Sequence, residues 1–257
     1  SIVIPSRHLG LSIDETFCFD AFADRVAEVI DKTVNVDRLL ELCTVEFSGE
    51  QTGGVICSGN RKIAIARDEA FNFMYRENVE ALKRAGEVVF FSPLHDKRLP
   101  DADLVYFPGG YPELYLPELA ANEGMRQAVR KYCETGGRVL AECGGMMYLC
   151  DTITSDDGKV YPMAGVLKQG ATMEQMKLKL GYREVRVNGQ RIRGHEFHYS
   201  RILPGHEKIP VIGTIYNAKD MVVDTPVYTY KNVLASYIHF YWGECGIDHF
   251  LMLMSQK

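Results

Sequence analysis

Between residues 60 and 141 the chain alternates short apolar runs with helix-length amphipathic segments, and few folds accept that pattern. Lys62–Ala66 (KIAIA), Glu87–Phe91 (EVVFF), Asp103–Phe107 (DLVYF) and Arg138–Ala141 (RVLA) read as strands. Glu77–Ala85 and Asn122–Thr135 read as helices, the first stopped by Gly86 as a C′ glycine and the second by Gly136-Gly137. Short apolar strands separated by helices predict an α/β fold with a mostly parallel sheet covered by helices on both faces. From about residue 175 the style changes. Lys177–Val187, Ile192–Phe197, Ile212–Tyr216, Val227–Tyr230 and Val233–Ile238 read as strands without long helices between them, which predicts an antiparallel extension of the sheet. Ligands of such sheets bind beyond the carboxyl ends of the parallel strands. The loops after Phe107 and Ala141 are therefore where a site is expected.

The first 47 residues read differently. Ser12 and Glu15 have the spacing of a capping box, and Phe19, Phe22, Val26, Val29 and Ile30 recur at the period of a core-facing helical stripe. A short helix, Val36 to about Cys43, follows. Residues 48–60 (SGEQTGGVICSGN) are Gly/Ser-rich and polar, as expected of a linker. The predicted organisation is a helical segment over 1–47, a linker over 48–60 and the α/β domain over 61–257.

The charge balance excludes some functions. Across 257 residues, 29 Lys+Arg against 34 Asp+Glu leave a formal net charge of −5, with no basic block to favour nucleic acid or an anionic membrane. No apolar run is long enough to span a bilayer, and the N-terminus has no signal-peptide pattern. It also has no initiator Met, so the chain is expected to be part of something longer. Seven cysteines (18, 43, 57, 133, 143, 150 and 245) lack any repeated spacing or C-x-x-C pair. Free thiols in a reducing, cytoplasmic compartment are expected, with six of the seven acting as small buried hydrophobes.

Cys143 has another setting. In Val139-Leu140-Ala141-Glu142-Cys143-Gly144-Gly145-Met146-Met147-Tyr148-Leu149 a buried strand runs through Glu-Cys-Gly-Gly directly into a helix. Such a turn exposes a nucleophile at the sheet edge, as in the strand–turn–helix hydrolases. A helix N-terminus is expected to lower the thiol pKa, and the Gly144 N–H to hold a developing oxyanion. The loop after Phe107, Pro108-Gly109-Gly110-Tyr111, offers the Gly110 N–H as a second donor. A cysteine nucleophile needs a base. Of the seven histidines, His239 is favoured because it follows a predicted strand, at a sheet edge. The pair His195-x-x-His198 does not suit a metal, because residues three apart on a strand face opposite ways. No metal site and no P-loop are read from the residues, so this chain shows no nucleotide site of its own.

Together these residues resemble the class I (triad-type) glutamine amidotransferases, and more closely the C-terminal amidotransferase domain of cobyrinic acid a,c-diamide synthases. The matching stretches are RDEAFNFMYRENVEALKRAGEVVFFSPL (67–94), DADLVYFPGGYPELY (101–115), AECGGMMYL (141–149), GYREVRV (181–187), GHEFHYS (194–200) and ASYIHFYW (235–242). Ile4 to Leu11 resembles the end of that family's N-terminal synthetase domain, which makes 1–47 a remnant of it. The resemblance implies a flavodoxin-like amidotransferase fold. Cys143 would hydrolyse glutamine through a thioester with His239 as its base, and Gly110, Gly144 and Tyr111 would serve as oxyanion and glutamine-binding positions. ATP and Mg²⁺ are implied for the synthetase domain only, where the released ammonia would amidate the a- and c-carboxylates of cobyrinate. Related enzymes on the same layout include cobyric acid synthase and a nickel-sirohydrochlorin diamide synthase. A stand-alone cysteine hydrolase is the alternative chemistry, and a non-catalytic interaction domain with an inert Cys143 the alternative class. A homodimer is left open. One departure stands out: triad enzymes carry His-x-Glu, and here the residue two after His239 is Tyr241. Asp68, just past the first strand, is the candidate third member, with Glu196 the other possibility.

Overall fold

The computed structural model describes residues 6–7, 10–11, 18–45, 60–243, 247–248, 250 and 253. The chain divides into two units, residues 1–54 and 55–257. In the first, β1 (Ser6–Arg7) pairs antiparallel with β2 (Gly10–Leu11), and two helices follow, α1 (Phe19–Thr33) and α2 (Val36–Cys43). Asn35 caps α2 by accepting from the Arg38 N–H at 2.9 Å. The Ser12–Glu15 pair lies outside the described residues, as does nearly all of the predicted linker; α1 starts after Cys18. The expected core stripe of α1 is not covered. Phe22 and Val26 are half-buried while Phe19, Val29 and Ile30 are exposed, and neither helix holds a buried residue. Cys18 and Cys43 are exposed for the same reason, against the expectation of burial.

The second unit follows the chain as β3 (Arg61–Ala66), α3 (Arg76–Ala85), β4 (Gly86–Phe91), β5 (Leu104–Phe107), α4 (Leu116–Ala121), α5 (Glu123–Glu134), β6 (Arg138–Glu142) and α6 (Gly144–Leu149). Then come β7 (Cys150–Thr154), β8 (Val160–Pro162), β9 (Leu167–Thr172), β10 (Lys179–Val187), β11 (Gln190–His198) and β12 (Arg201–Leu203). The last strands are β13 (Val211–Ile212), β14 (Thr214–Asn217), β15 (Val227–Tyr230), β16 (Val233–Ser236) and β17 (Ile238–Phe240). The main sheet has the order β13-β15-β16-β6-β5-β3-β4, parallel from β16 to β4 with β15 and β13 antiparallel at one edge. This is the expected mostly parallel sheet with an antiparallel extension. The remaining late strands form two further sheets, β14-β10-β11-β17 and β12-β9-β7-β8, which the sequence pattern does not separate from the first.

Parity explains why the central strands are apolar throughout. Ala64 and Ala66, Val105 and Phe107, and Val139 and Ala141 face one core, with the buried faces of α4, α5 and α6. Ile63 and Ile65, Leu104 and Tyr106, and Leu140 face the other, against Leu82 of α3 and Val185, Ile192 and Phe240 of the antiparallel sheet. Glu142 shares the parity of Leu140, so a carboxyl is carried into the second core.

Two expectations change here. Gly86 has φ 173°, extended backbone, and is not a left-handed helix cap; a Cβ there would lie 2.1 Å from the Arg61 carbonyl oxygen, so close strand pairing demands glycine. The run predicted as one strand over Val233–Ile238 breaks at Tyr237. β16 ends in the main sheet and β17 enters the antiparallel one, where His239 pairs across to His195. Buried Asn78 of α3 pins this second stretch: its amide donates to the Phe240 carbonyl at 2.6 Å and its carbonyl oxygen accepts from the Trp242 N–H at 2.9 Å. Replacing it orphans both buried backbone groups. Asn78→Ala should therefore lower the unfolding free energy by about 2–4 kcal/mol, read from urea denaturation.

Candidate active site

Cys143 is the turn between β6 and α6, and its backbone stands at φ 46°, ψ −108°. A non-glycine residue there costs about 1–3 kcal/mol and persists only where its neighbours dictate it. The Cys143 N–H donates to Ser236 O at 2.8 Å, and the Gly145 N–H to Pro108 O at 3.1 Å, so β16 and the loop after β5 hold the bend from either side. The side chain is 6% exposed, and Sγ lies 4.0 Å from the Phe197 carbonyl oxygen.

The thiol does not follow the expectation of a lowered pKa. Burial pushes it well up, the charge of Glu113 adds to this, and the Gly144 N–H opposes both only in part. α6 has six residues and sits in a closed core, so its N-terminal field does not outweigh the loss of water.

The glycine loop brings the other parts together. A Cβ on Gly144 would lie 3.2 Å from the Gly110 nitrogen, so the two glycines predicted for an oxyanion pack against each other. Half-buried Tyr111 anchors the loop through its N–H to Ala70 O at 2.9 Å. Gly109 must be glycine because a Cβ there would meet the His239 ring at 2.2 Å. Gly144, the neighbour of Cys143, and His239 thus meet one loop, Gly144 at Gly110 and His239 at Gly109.

His239 is 4% exposed. The Phe73 ring stands edge-on to it at 4.6 Å, and His195 stacks on it at 4.8 Å and 19°. Tyr75 in turn holds His195 through a short contact to Nδ1. Burial, helped by His195 and His198, drives the His239 pKa down to about 3. The imidazole is neutral at physiological pH, the form a base needs. Its Nδ1 is buried without a hydrogen bond, and Glu142 Oε2 lies 4.0 Å away.

Asp68 is elsewhere occupied. Oδ1 accepts from the Ala70 and Phe71 N–H groups at 2.9 and 3.1 Å, and Oδ2 from Ser92 Oγ and the Leu94 N–H at 2.8 and 2.9 Å. It ties the loop after β3 to the loop after β4. Glu196, the other possibility, accepts from Arg183 Nε at 2.7 Å and Thr225 Oγ1 at 2.9 Å, and meets His198 Nε2 at 2.8 Å. Burial works to raise it, but the His198 bond, the Lys179 charge and the Thr225 bond hold it down at about 2. It lies next to His195 on β11 and therefore turns away from the face that His195 shows to His239.

Sequence reasoning did not single out Glu142, Asn78, Phe73 or Tyr75. For Glu142 a signal existed: an acidic residue in the buried parity of Leu140, on a strand covered on both faces, has nowhere to go but inward. Burial pushes its carboxyl up to about 8, against the bonds from Tyr106 and the Phe240 N–H. The folded state thus holds that proton more tightly than the unfolded chain, and stability falls as pH rises from about 4.5 through about 8. His239 has the opposite sign and is already neutral in both states above about 6.5. Urea denaturation between about pH 6.5 and 8 should accordingly show wild-type stability declining and Glu142→Gln lacking this part of the decline.

The sequence matches the CobB/CobQ-like glutamine amidotransferase domain over residues 62–245. It is 34% identical over 258 residues to the cobyrinate a,c-diamide synthase of Salmonella typhimurium, covering 95% of this chain and 56% of that protein. It is 38% identical over 240 residues to the hydrogenobyrinate a,c-diamide synthase of Pseudomonas aeruginosa, covering 93% and 54%. The chain thus spans about half the length of the curated relatives it matches. In fold it is similar to the solved structure of PurLQS from Thermotoga maritima, with TM-score 0.50, 17% identity, and 76% of this chain and 97% of that chain covered. The Cys143 bend, the glycine loop and His239 all fall inside the matched region, and the chain belongs to the CobB/CobQ-like glutamine amidotransferase domain family.

Proposed function

We propose that this chain is the glutaminase part of an ATP-dependent a,c-diamide synthase, supplying ammonia for amidation of the a- and c-carboxylates of cobyrinate or its metal-free counterpart. The observation that carries the reading is the left-handed backbone at Cys143, held by Ser236 and by the paired-glycine loop against which buried His239 also packs. A merely structural cysteine needs no such bend. The names of the Salmonella and Pseudomonas relatives support the acceptor.

In this mechanism His239 takes the Cys143 S–H proton, and the sulfur attacks the side-chain amide carbon of glutamine. The Gly110 and Gly144 N–H groups receive the oxyanion, and Tyr111 lines the substrate beside them. The bond to nitrogen then breaks, and the leaving amine takes the proton from His239 and departs as ammonia. Water, deprotonated by His239, cleaves the thioester to glutamate and free thiol. The high thiol pKa fits this order: the proton leaves as the sulfur attacks, and no standing thiolate is kept. Asp68 holds the surrounding loops.

ATP and Mg²⁺ belong to the ligase step of this reading. Among the described residues no three His, Cys, Asp or Glu side chains converge as metal ligands, and the sequence has no P-loop. We assign both to the synthetase domain. No helix among the described residues is long and apolar enough to cross a membrane. The reading includes a cytoplasmic location and leaves a homodimer to sedimentation.

In the full-length synthase, Cys143→Ala should abolish glutamine-dependent amidation and spare the ammonia-dependent reaction; loss of both would make Cys143 structural. His239→Ala should cost about 10²-fold or more in glutaminase rate. A glutamine-mimicking electrophile should label Cys143, and excess glutamine should protect it.

A further inference from the structure

We propose that Glu142, the residue before the nucleophile, is the carboxyl group that positions His239 and selects its tautomer. The proposal rests on the glutaminase reading above. Among the described residues, Glu142 is the only one with a carboxyl oxygen within 4.0 Å of a His239 ring nitrogen, and the atom it faces is Nδ1, which is buried and has no hydrogen-bond partner. The rest of the ring's surroundings offers it no acceptor at that nitrogen: Phe73 stands edge-on, His195 stacks on a face, and Gly109 closes the edge.

Glu142 is itself held in place. It is 1% exposed, the Tyr106 hydroxyl donates to Oε2 at 2.8 Å and the Phe240 N–H donates to Oε1 at 3.2 Å. The first donor comes from β5, the second from the residue after His239. Any movement of β17 that shortens the 4.0 Å gap therefore moves a strand already tethered to the same carboxylate. A closure of roughly 1 Å makes the Nδ1–H···Oε2 bond, the kind of tightening that substrate binding brings to empty sites.

The chemistry follows from the proton count of a neutral imidazole. With its one proton on Nδ1 and directed at Glu142, the Nε2 lone pair is free to receive the thiol proton. When Nε2 is protonated, Nδ1–H still faces the Glu142 carboxyl oxygen, so the ring keeps its orientation through the transfer. Glu142 touches no reacting atom and is thus a positioning residue. It fills the role that Tyr241 leaves open and that Asp68, bonded at both oxygens, does not reach. It also explains why a carboxyl is carried on the apolar strand that ends at the nucleophile.

The test is Glu142→Gln, a near-isosteric change whose amide would donate to Nδ1 and force the proton onto Nε2. In the full-length synthase, glutamine-dependent kcat should fall about 10²- to 10⁴-fold with KM changed by no more than about threefold. A kcat within about twofold of wild type would overturn the proposal. A second readout needs no variant: ¹⁵N spectra of histidine-labelled wild-type chain, above the carboxyl pKa of about 8, should show His239 carrying its proton on Nδ1. A proton on Nε2 in the wild type would also overturn it. His239→Ala separates this proposal from the reading beneath it. If His239→Ala is inactive while Glu142→Gln is normal, only the role of Glu142 falls; if His239→Ala retains full glutamine turnover, the base assignment falls with it.

Discussion

The bend at Cys143 is the constraint on which the site depends. A cysteine at φ 46° is unfavourable in isolation, and it is kept by bonds from two separate pieces of backbone, Ser236 of β16 and Pro108 after β5. Those bonds exist only because β16, β6 and β5 are adjacent parallel strands that end at one level. The strain, about 1–3 kcal/mol, is of the size that two buried hydrogen bonds offset. The sheet therefore does more than carry Cys143: its register sets the angle at which the thiol leaves the strand.

The electrostatics around that bend are those of a dry site. Burial leaves Cys143 protonated, His239 neutral and Glu142 with a raised pKa of about 8. Little standing charge is kept on these three groups, which suits the proposed proton transfer. Charge is concentrated on the other face of β11, where Glu196 gathers Arg183, Lys179 and His198. Residues 195 and 196, neighbours in sequence, serve opposite sides of one strand: His195 packs on His239, and Glu196 anchors the hairpin of β10 and β11.

Much of this was legible beforehand, for identifiable reasons. The parallel strands could be read because both of their faces are buried, which leaves a continuous apolar signature. The elbow could be read because strand, Cys-Gly-Gly and helix are contiguous, and the glycine loop because it follows a strand that ends at the same sheet edge as Cys143. The third partner of His239 could not be read from the triad pattern. Asp68 stood in a plausible loop, but its neighbours Ala70, Phe71, Ser92 and Leu94 take up both its oxygens. The expected fall in thiol pKa failed because a local helix field was weighed without the burial that only packing reveals.

What the sequence by itself determined is local and periodic: the order of strands and helices, the turn that presents Cys143, and the parity that sends Glu142 inward. The tertiary structure decided what lies opposite those groups. The break at Tyr237, which moves His239 out of the main sheet and onto β11, depends on Asn78 meeting Phe240 and Trp242 across 162 and 164 residues of chain. So does the meeting of Glu142 with His239, 4.0 Å apart in space. No periodicity encodes such pairs, because they are set by how separate elements pack and not by the preferences of either one.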